Sequence, residues 1–276
     1  MFKTYSLHKI NQEEVIPFLP ENYSEFKYGN ANIARLFGTE LAKEFVAKNG
    51  EFLKTKEIVV LSSPYSFIPT ATYSMTKYFV YYLNNWLKSN NLKQAQNAKI
   101  DRNITYKDDY GALNAEQRLK LIGNDSFHVD RPFLKDKFLL FLDDIKITGS
   151  HQIVIENMIE SYDLKNDLFF VYYAELTNSD IHPKIENFLN NFKIKSLQDL
   201  EHMIKATTFI FNTRVVKFIL RQEKEAFLPF INNQSEEFSF ELFNQAIGNG
   251  YHEMDEYSTN INSLEKLLAT EKVNIT

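Results

Sequence analysis

The sequence predicts an α/β fold, a parallel twisted sheet flanked by helices, followed by an all-helical appendage. Three observations predict it. Short apolar runs of strand length alternate with segments of helical periodicity, the texture of a parallel sheet buried on both faces. Two of those runs, Glu57–Leu61 and Phe138–Leu142, pass straight into small polar loops and then into helical patterns. Beyond Pro183 the strand-like runs cease and helical spacing takes over.

The opening segment carries Pro17 and Pro20 as breakers and reads as an irregular lead-in ending on the turn glycine Gly29. Lys27-Tyr28-Gly29 reads as a helix-start turn, with a ligand role as the alternative. From Asn30, residues Ile33, Leu36, Phe37, Leu41 and Phe45 recur at helical spacing, and Asn49-Gly50 supplies a C-terminal stop. Glu57–Leu61 is a β-branched strand, and Ser62-Ser63-Pro64-Tyr65 after it is either an anion-binding turn or a plain one. The segment from Thr72 to Leu92 is helical, with Met75, Phe79, Leu83 and Trp86 on one stripe that belongs to a core.

The stretch around 93–130 is polar and mixed. Lys99–Tyr106 reads as an edge strand, Lys107–Gly111 as a turn, and Asn114–Ile122 as a short helix capped by Asn114. Long polar insertions between core strands often serve as lids, and Arg102, Lys107 and Arg118 are cations that such a lid could bring to phosphates. His151–Tyr162 is a helix and Asp167–Tyr173 a further buried strand. Ser196–Asp199 forms a capping box, and helices follow at Asn212–Arg221, Glu236–Ile247 and Ser263–Ala269.

The organising stretch is Phe138-Leu-Leu-Phe-Leu-Asp-Asp-Ile-Lys-Ile-Thr-Gly-Ser-His151. Asp143 and Asp144 stand where the strand emerges at its carboxyl end, the edge at which open α/β sheets bind ligands. The small residues beyond expose backbone N–H groups, and the next helix adds its positive end, which suits a phosphate. Acceptors for hydroxyls or a cation thus lie beside an anion cradle, the chemistry of a sugar phosphate.

Other classes are excluded or disfavoured. A net charge of −5 gives no electrostatic footprint for duplex nucleic acid. With no cysteine, disulfides, thiol nucleophiles and thiolate metal sites are out. No run approaches the about 20 apolar residues of a membrane span. The start, Met-Phe-Lys-Thr-Tyr-Ser, shows no apolar core of a secretory signal, so the expectation is a cytoplasmic protein. The histidines never pair at the spacing of a zincin, and neither a Walker A loop nor a Gly-x-Ser-x-Gly elbow occurs.

Leu-Leu-Phe-Leu-Asp143-Asp144 followed by the Thr148-Gly149-Ser150 loop resembles the signature of type I phosphoribosyltransferases, over a core of roughly residues 30–175. Ser62, Ser63, Pro64 and Tyr65 occupy the place of that family's pyrophosphate loop, and residues 99–120 that of its flap. The segments Tyr23–Gly29, Asp109–Arg118 and Asn212–Leu220 are similar to a narrower group, the bacterial phosphoribosyltransferases of tellurite-resistance and stress operons. Lys146, Ile147 and His151 depart from the pattern, which usually has an apolar residue, a small residue, and Thr or Ser there.

The resemblance implies 5-phosphoribosyl 1-pyrophosphate (PRPP) as donor, Mg²⁺ as cofactor and a nitrogenous, base-like acceptor. It implies that Asp143 and Asp144 receive the ribose hydroxyls and reach the metal indirectly. Lys146, Ile147, Thr148, Gly149, Ser150 and His151 would hold the 5′-phosphate, with His151 alternatively facing solvent. Arg102, Lys107 and Arg118 are the flap's candidates for pyrophosphate. A regulatory protein that binds the donor without transfer is the alternative. A phosphotransfer protein with a phosphorylated Asp is disfavoured by Ala174-Glu175-Leu176 at the next strand end. The expected organisation is a domain over 1–195, with its lead-in and flap, and a helical domain over 196–276. The latter either caps the acceptor side of the cleft or makes a homodimer contact.

Overall fold

The structure, a computed structural model, describes residues 2–103 and 126–273. Its main sheet has five parallel strands in the order β1-β7-β6-β2-β3. These are β1 (Phe2–Ile10), β2 (Ile58–Ser62), β3 (Gln96–Ala98), β6 (Phe138–Lys146) and β7 (Leu168–Leu176). The central strand β6 is apolar throughout because both of its faces are covered. Leu140 and Leu142 join Phe45, Phe79 and Leu83 from α2 (Ala31–Leu53) and α3 (Ala71–Ser89) in one core. Leu139 and Phe141 pack on the other face with Ile155, Met158 and Ile159 of the helix Ser150–Ser161. This alternation sends Asp143 to one face of the sheet and Asp144 to the other.

Several expectations are corrected. The lead-in is not irregular: β1 pairs with β7 along its length, and α1 (Pro20–Lys27) follows. Pro20 begins that helix instead of breaking it, since the first helical residue needs no N–H. Asn49-Gly50 does not stop α2, which continues to Leu53. A Cβ on Gly50 would lie 2.8 Å from Trp86 Cζ2, so this glycine permits close packing against α3. The edge of the main sheet next to β2 is β3. Residues Asp101–Asn103 (β4) pair instead with Ser126–His128 (β5) in a separate antiparallel ribbon that leads to α4 (Arg131–Leu134). The expected turn at 107–111 and helix at 114–122, with Lys107 and Arg118, lie outside the described residues.

After α5 (Ser150–Ser161), β7 and α6 (Ile185–Asn190), the chain is helical: α7 (Leu197–Ala206), α8 (Thr213–Leu220), α9 (Lys224–Asn232), α10 (Glu236–Gly248) and α11 (Asp255–Val273). The Ser196/Asp199 capping box is present. The helix expected at 263–269 is an inner part of α11. No expectation covered α9, which carries Pro229 inside it and is held by the buried Phe227, Phe230 and Ile231. These helices enclose a second core that also takes in Tyr28 and Ile68 from the α/β part. No helix among the described residues is long and apolar enough to cross a membrane.

Candidate active site

Asp143 and Asp144 lie near the end of the buried part of β6, at 3% and 5% exposure. A carboxylate at that depth needs donors, and both have them. Asp143 Oδ1 accepts from Ser63 Oγ at 2.6 Å, Thr72 Oγ1 at 3.3 Å and the Asp144 amide at 3.0 Å, while Oδ2 pairs with His151 Nδ1 at 3.0 Å. Asp144 Oδ2 accepts from Tyr23 OH at 2.6 Å and from Lys27 Nζ; its Oδ1 accepts from Thr72 Oγ1 at 3.1 Å. The Thr72 hydroxyl, in the first turn of α3, bridges the two acids. Each acid therefore has one crowded oxygen and one that meets a single protein donor.

Burial alone would push Asp144 up, but the Lys27 charge and hydrogen bonds from Lys27 and Tyr23 hold it well below the usual carboxylate range. Burial and the neighbouring Asp144 push the Tyr23 phenol well above its ordinary value, so Tyr23 stays protonated and donates. Tyr172 on β7 is raised in the same way, by burial first and then by Asp143.

Immediately after β6 the loop turns through Gly149, which adopts φ +75° and caps α5; only Lys146 Cε comes within contact of a Cβ there, at 3.5 Å. Glycine is required for its backbone conformation. The Thr148 and Ser150 hydroxyls bond to each other at 2.7 Å and turn the loop into the first turn of α5. The first turn of a helix presents N–H groups that have no partner within the helix. An open cleft results, lined by Lys146–Gln152, both acids, Lys27, Ile145, Tyr172 and Glu186.

All six expected phosphate-loop residues thus lie on one cleft with both acids. Within it, Lys146 is paired with Glu175 on β7 at 3.2 Å, and the His151 ring turns to Asp143. The Ser62–Tyr65 turn sits beside the cleft. Ser62 and Ser63 are buried, the Ser63 hydroxyl reaches Asp143, and Tyr65 pairs with Asp101. None of Ser62, Ser63, Pro64 and Tyr65 lines the cleft, and neither does Arg102, whose amide donates to Tyr65 O and whose charge acts on Tyr251 in the helical part. Reasoning from sequence missed Tyr23, Lys27 and Thr72 as partners of the acids. The Tyr23–Gly29 motif was the signal that pointed toward two of them.

Paired acids and a glycine-turned loop into a helix start, at the carboxyl edge of a parallel sheet, are the layout of the type I phosphoribosyltransferase class. The sequence model of the family described as PRTase ComF-like matches residues 1–264, and the chain belongs to that family. A comparison with curated proteins gave no match. Among solved structures the chain is similar to a hypoxanthine phosphoribosyltransferase from Staphylococcus aureus in two crystal forms. The tetragonal form has 10% identity over 51% of this chain and 74% of that one, at a TM-score of 0.32. The orthorhombic form has 10% identity over 60% and 80%, at 0.29.

Proposed function

We propose that this protein transfers the 5-phosphoribosyl group of PRPP to a nitrogenous, base-like acceptor and releases pyrophosphate. One observation carries the reading: two acids and a helix start of the kind that suits a phosphate share one cleft, which gives one ligand room to reach both. The less crowded oxygens, Asp143 Oδ2 and Asp144 Oδ1, are the acceptors for the ribose hydroxyls. The loop from Lys146 to His151 holds the 5′-phosphate through backbone N–H groups and the Thr148 and Ser150 hydroxyls. Ser62 to Tyr65, with Arg102, Lys107 and Arg118, are the assignments for pyrophosphate.

In the transfer, the bond from the anomeric carbon to pyrophosphate breaks, and its electron pair leaves with pyrophosphate. The lone pair of the acceptor nitrogen forms the new bond, and its proton passes to the departing pyrophosphate or to solvent. Positive charge develops on the ribose, and the two carboxylates beneath it stabilise that charge. Among the described residues no group of three or more His, Asp or Glu is arranged to hold a metal ion. Mg²⁺ would be held mainly by the hard oxygens of the donor's pyrophosphate, with Asp143 and Asp144 reaching it through ribose hydroxyls or water, and would supply charge neutralisation for the leaving group.

The likeness of Tyr23–Gly29, Asp109–Arg118 and Asn212–Leu220 to phosphoribosyltransferases of tellurite-resistance and stress operons supports a role in a cytoplasmic stress response. Calorimetry with PRPP and Mg²⁺, and pyrophosphate release with a panel of bases, test the proposal. Asp144→Asn is expected to lose donor binding or turnover while the fold stays intact, and unchanged activity in that variant sinks the assignment. Donor binding without release for any base assigns the regulatory alternative.

A further inference from the structure

The helical part of the chain grips both segments that supply donors to Asp144. Asn212 is 2% exposed and uses both ends of its side chain. Its Oδ1 caps α8 by accepting from Val215 N, and its Nδ2 donates to the carbonyl of Lys27. Two residues on, Gly29 and Ala31 exchange backbone hydrogen bonds with Ile210 and Thr208. Gly29 has φ +96°, and a Cβ there would meet Ile210 O at 2.3 Å, so the approach is as close as a backbone allows. Thr213 bonds Ile68 O and Pro69 O through its hydroxyl and Pro69 O again through its amide. Asn249 Oδ1 accepts from the amides of Phe67 and Ile68 on the same loop. That loop runs into Thr72, whose hydroxyl bridges the two acids.

Burial of Tyr28 and Ile68 in the helical core would be enough to dock the two parts. The polar bonds add direction, and they converge on the residues flanking the acid pair. We propose that Thr208–Thr213 is a clamp for the donor site, and that Asn212 is a positioning residue that acts on Asp144 through Lys27. The inference rests on the donor-site reading above for its functional consequence but not for its structural one.

Asn212→Asp keeps an oxygen for the α8 cap and loses the N–H that reaches Lys27 O. Lysine side-chain NMR on the full chain reads the Lys27–Asp144 contact without any ligand, the Lys27 signal being assigned by its loss in Lys27→Met. N212D is expected to move that signal toward its position in D144N. The control is Asn260→Ala, which removes buried bonds to Leu220 O and Gln222 O within the helical part, away from the clamp. PRPP affinity falls roughly tenfold in N212D, about what one such hydrogen bond is worth. It falls no further when N212D is combined with K27M, because the two act in series. A Lys27 signal unmoved in N212D overturns the proposal, as does a fully additive loss in the double variant or an equal loss of affinity in N260A. If the wild-type chain binds no PRPP, the donor reading fails while the Lys27 signal still decides the clamp.

Discussion

Replacing Lys27 with methionine keeps the aliphatic stem and removes the ammonium that sits on Asp144. The two side chains are 13% and 7% exposed, so water cannot fully stand in for the lost partner. Deleting one partner of a buried pair costs about 3–5 kcal/mol, because the other charge is left stranded. Tyr23 and Thr72 still donate to Asp144, which puts the expected loss at the low end, ~3 kcal/mol. For a chain of this size that is a fall in Tm of roughly 6–12 °C. The pH dependence gives a second, independent signature. In the native protein the depressed Asp144 value makes its contribution complete above the unfolded value of about 3.9, and the contribution is lost as pH falls below that toward the native value. In K27M burial dominates, the native value rises above the unfolded one, and the folded state takes up a proton on mild acidification. The penalty therefore shrinks as pH is lowered from about 7 toward about 4. Urea melts of both proteins across that range measure it. A penalty that does not change with pH, or one under ~1 kcal/mol at neutral pH, refutes the claim that Lys27 holds Asp144 ionised.

Other perturbations test separate parts of the architecture. Gly149→Ala forces a Cβ into a left-handed backbone without a steric clash, so stability falls by about 1–2 kcal/mol. PRPP affinity, read by calorimetry, falls with it, and full affinity would argue against the loop as the phosphate site. Gly38→Ala places a Cβ 2.2 Å from Met75 O, where α2 and α3 pack backbone to backbone. Overpacking is expected to cost about 2–3 kcal/mol despite the better helix propensity of alanine; a neutral or stabilising result in chemical denaturation would contradict that contact. Ser196→Ala removes the α7 capping box and lowers stability by ~1 kcal/mol, measured by the same method.

The strand β6 was legible because burial on both faces demands an unbroken apolar run, and no other local structure of that length does. The acids and the glycine after it were legible for a related reason: carboxylates at a strand end and a left-handed turn leave marks in composition. The capping box marks itself in the same way, since its bonds join residues three apart. Strand β1 left no such mark. As an edge strand it is held by backbone hydrogen bonds to β7, and its side chains need not be apolar. Asn49-Gly50 carries the composition of a stop, yet the helix runs on to Leu53, and the glycine leaves the space that Trp86 fills.

What the chain determined by itself, then, was the class of sheet, the place of the acids and the phosphate-type loop, and the helical character of the rest. Those depend on periodicity and turn chemistry, which act over a few residues. Only the tertiary structure decided what the acids touch. Tyr23 and Lys27 lie 121 and 117 positions from Asp144, and Asn212 lies 185 from the lysine it holds. Such partnerships are set by where helices cross the sheet edge, and no local pattern encodes a crossing.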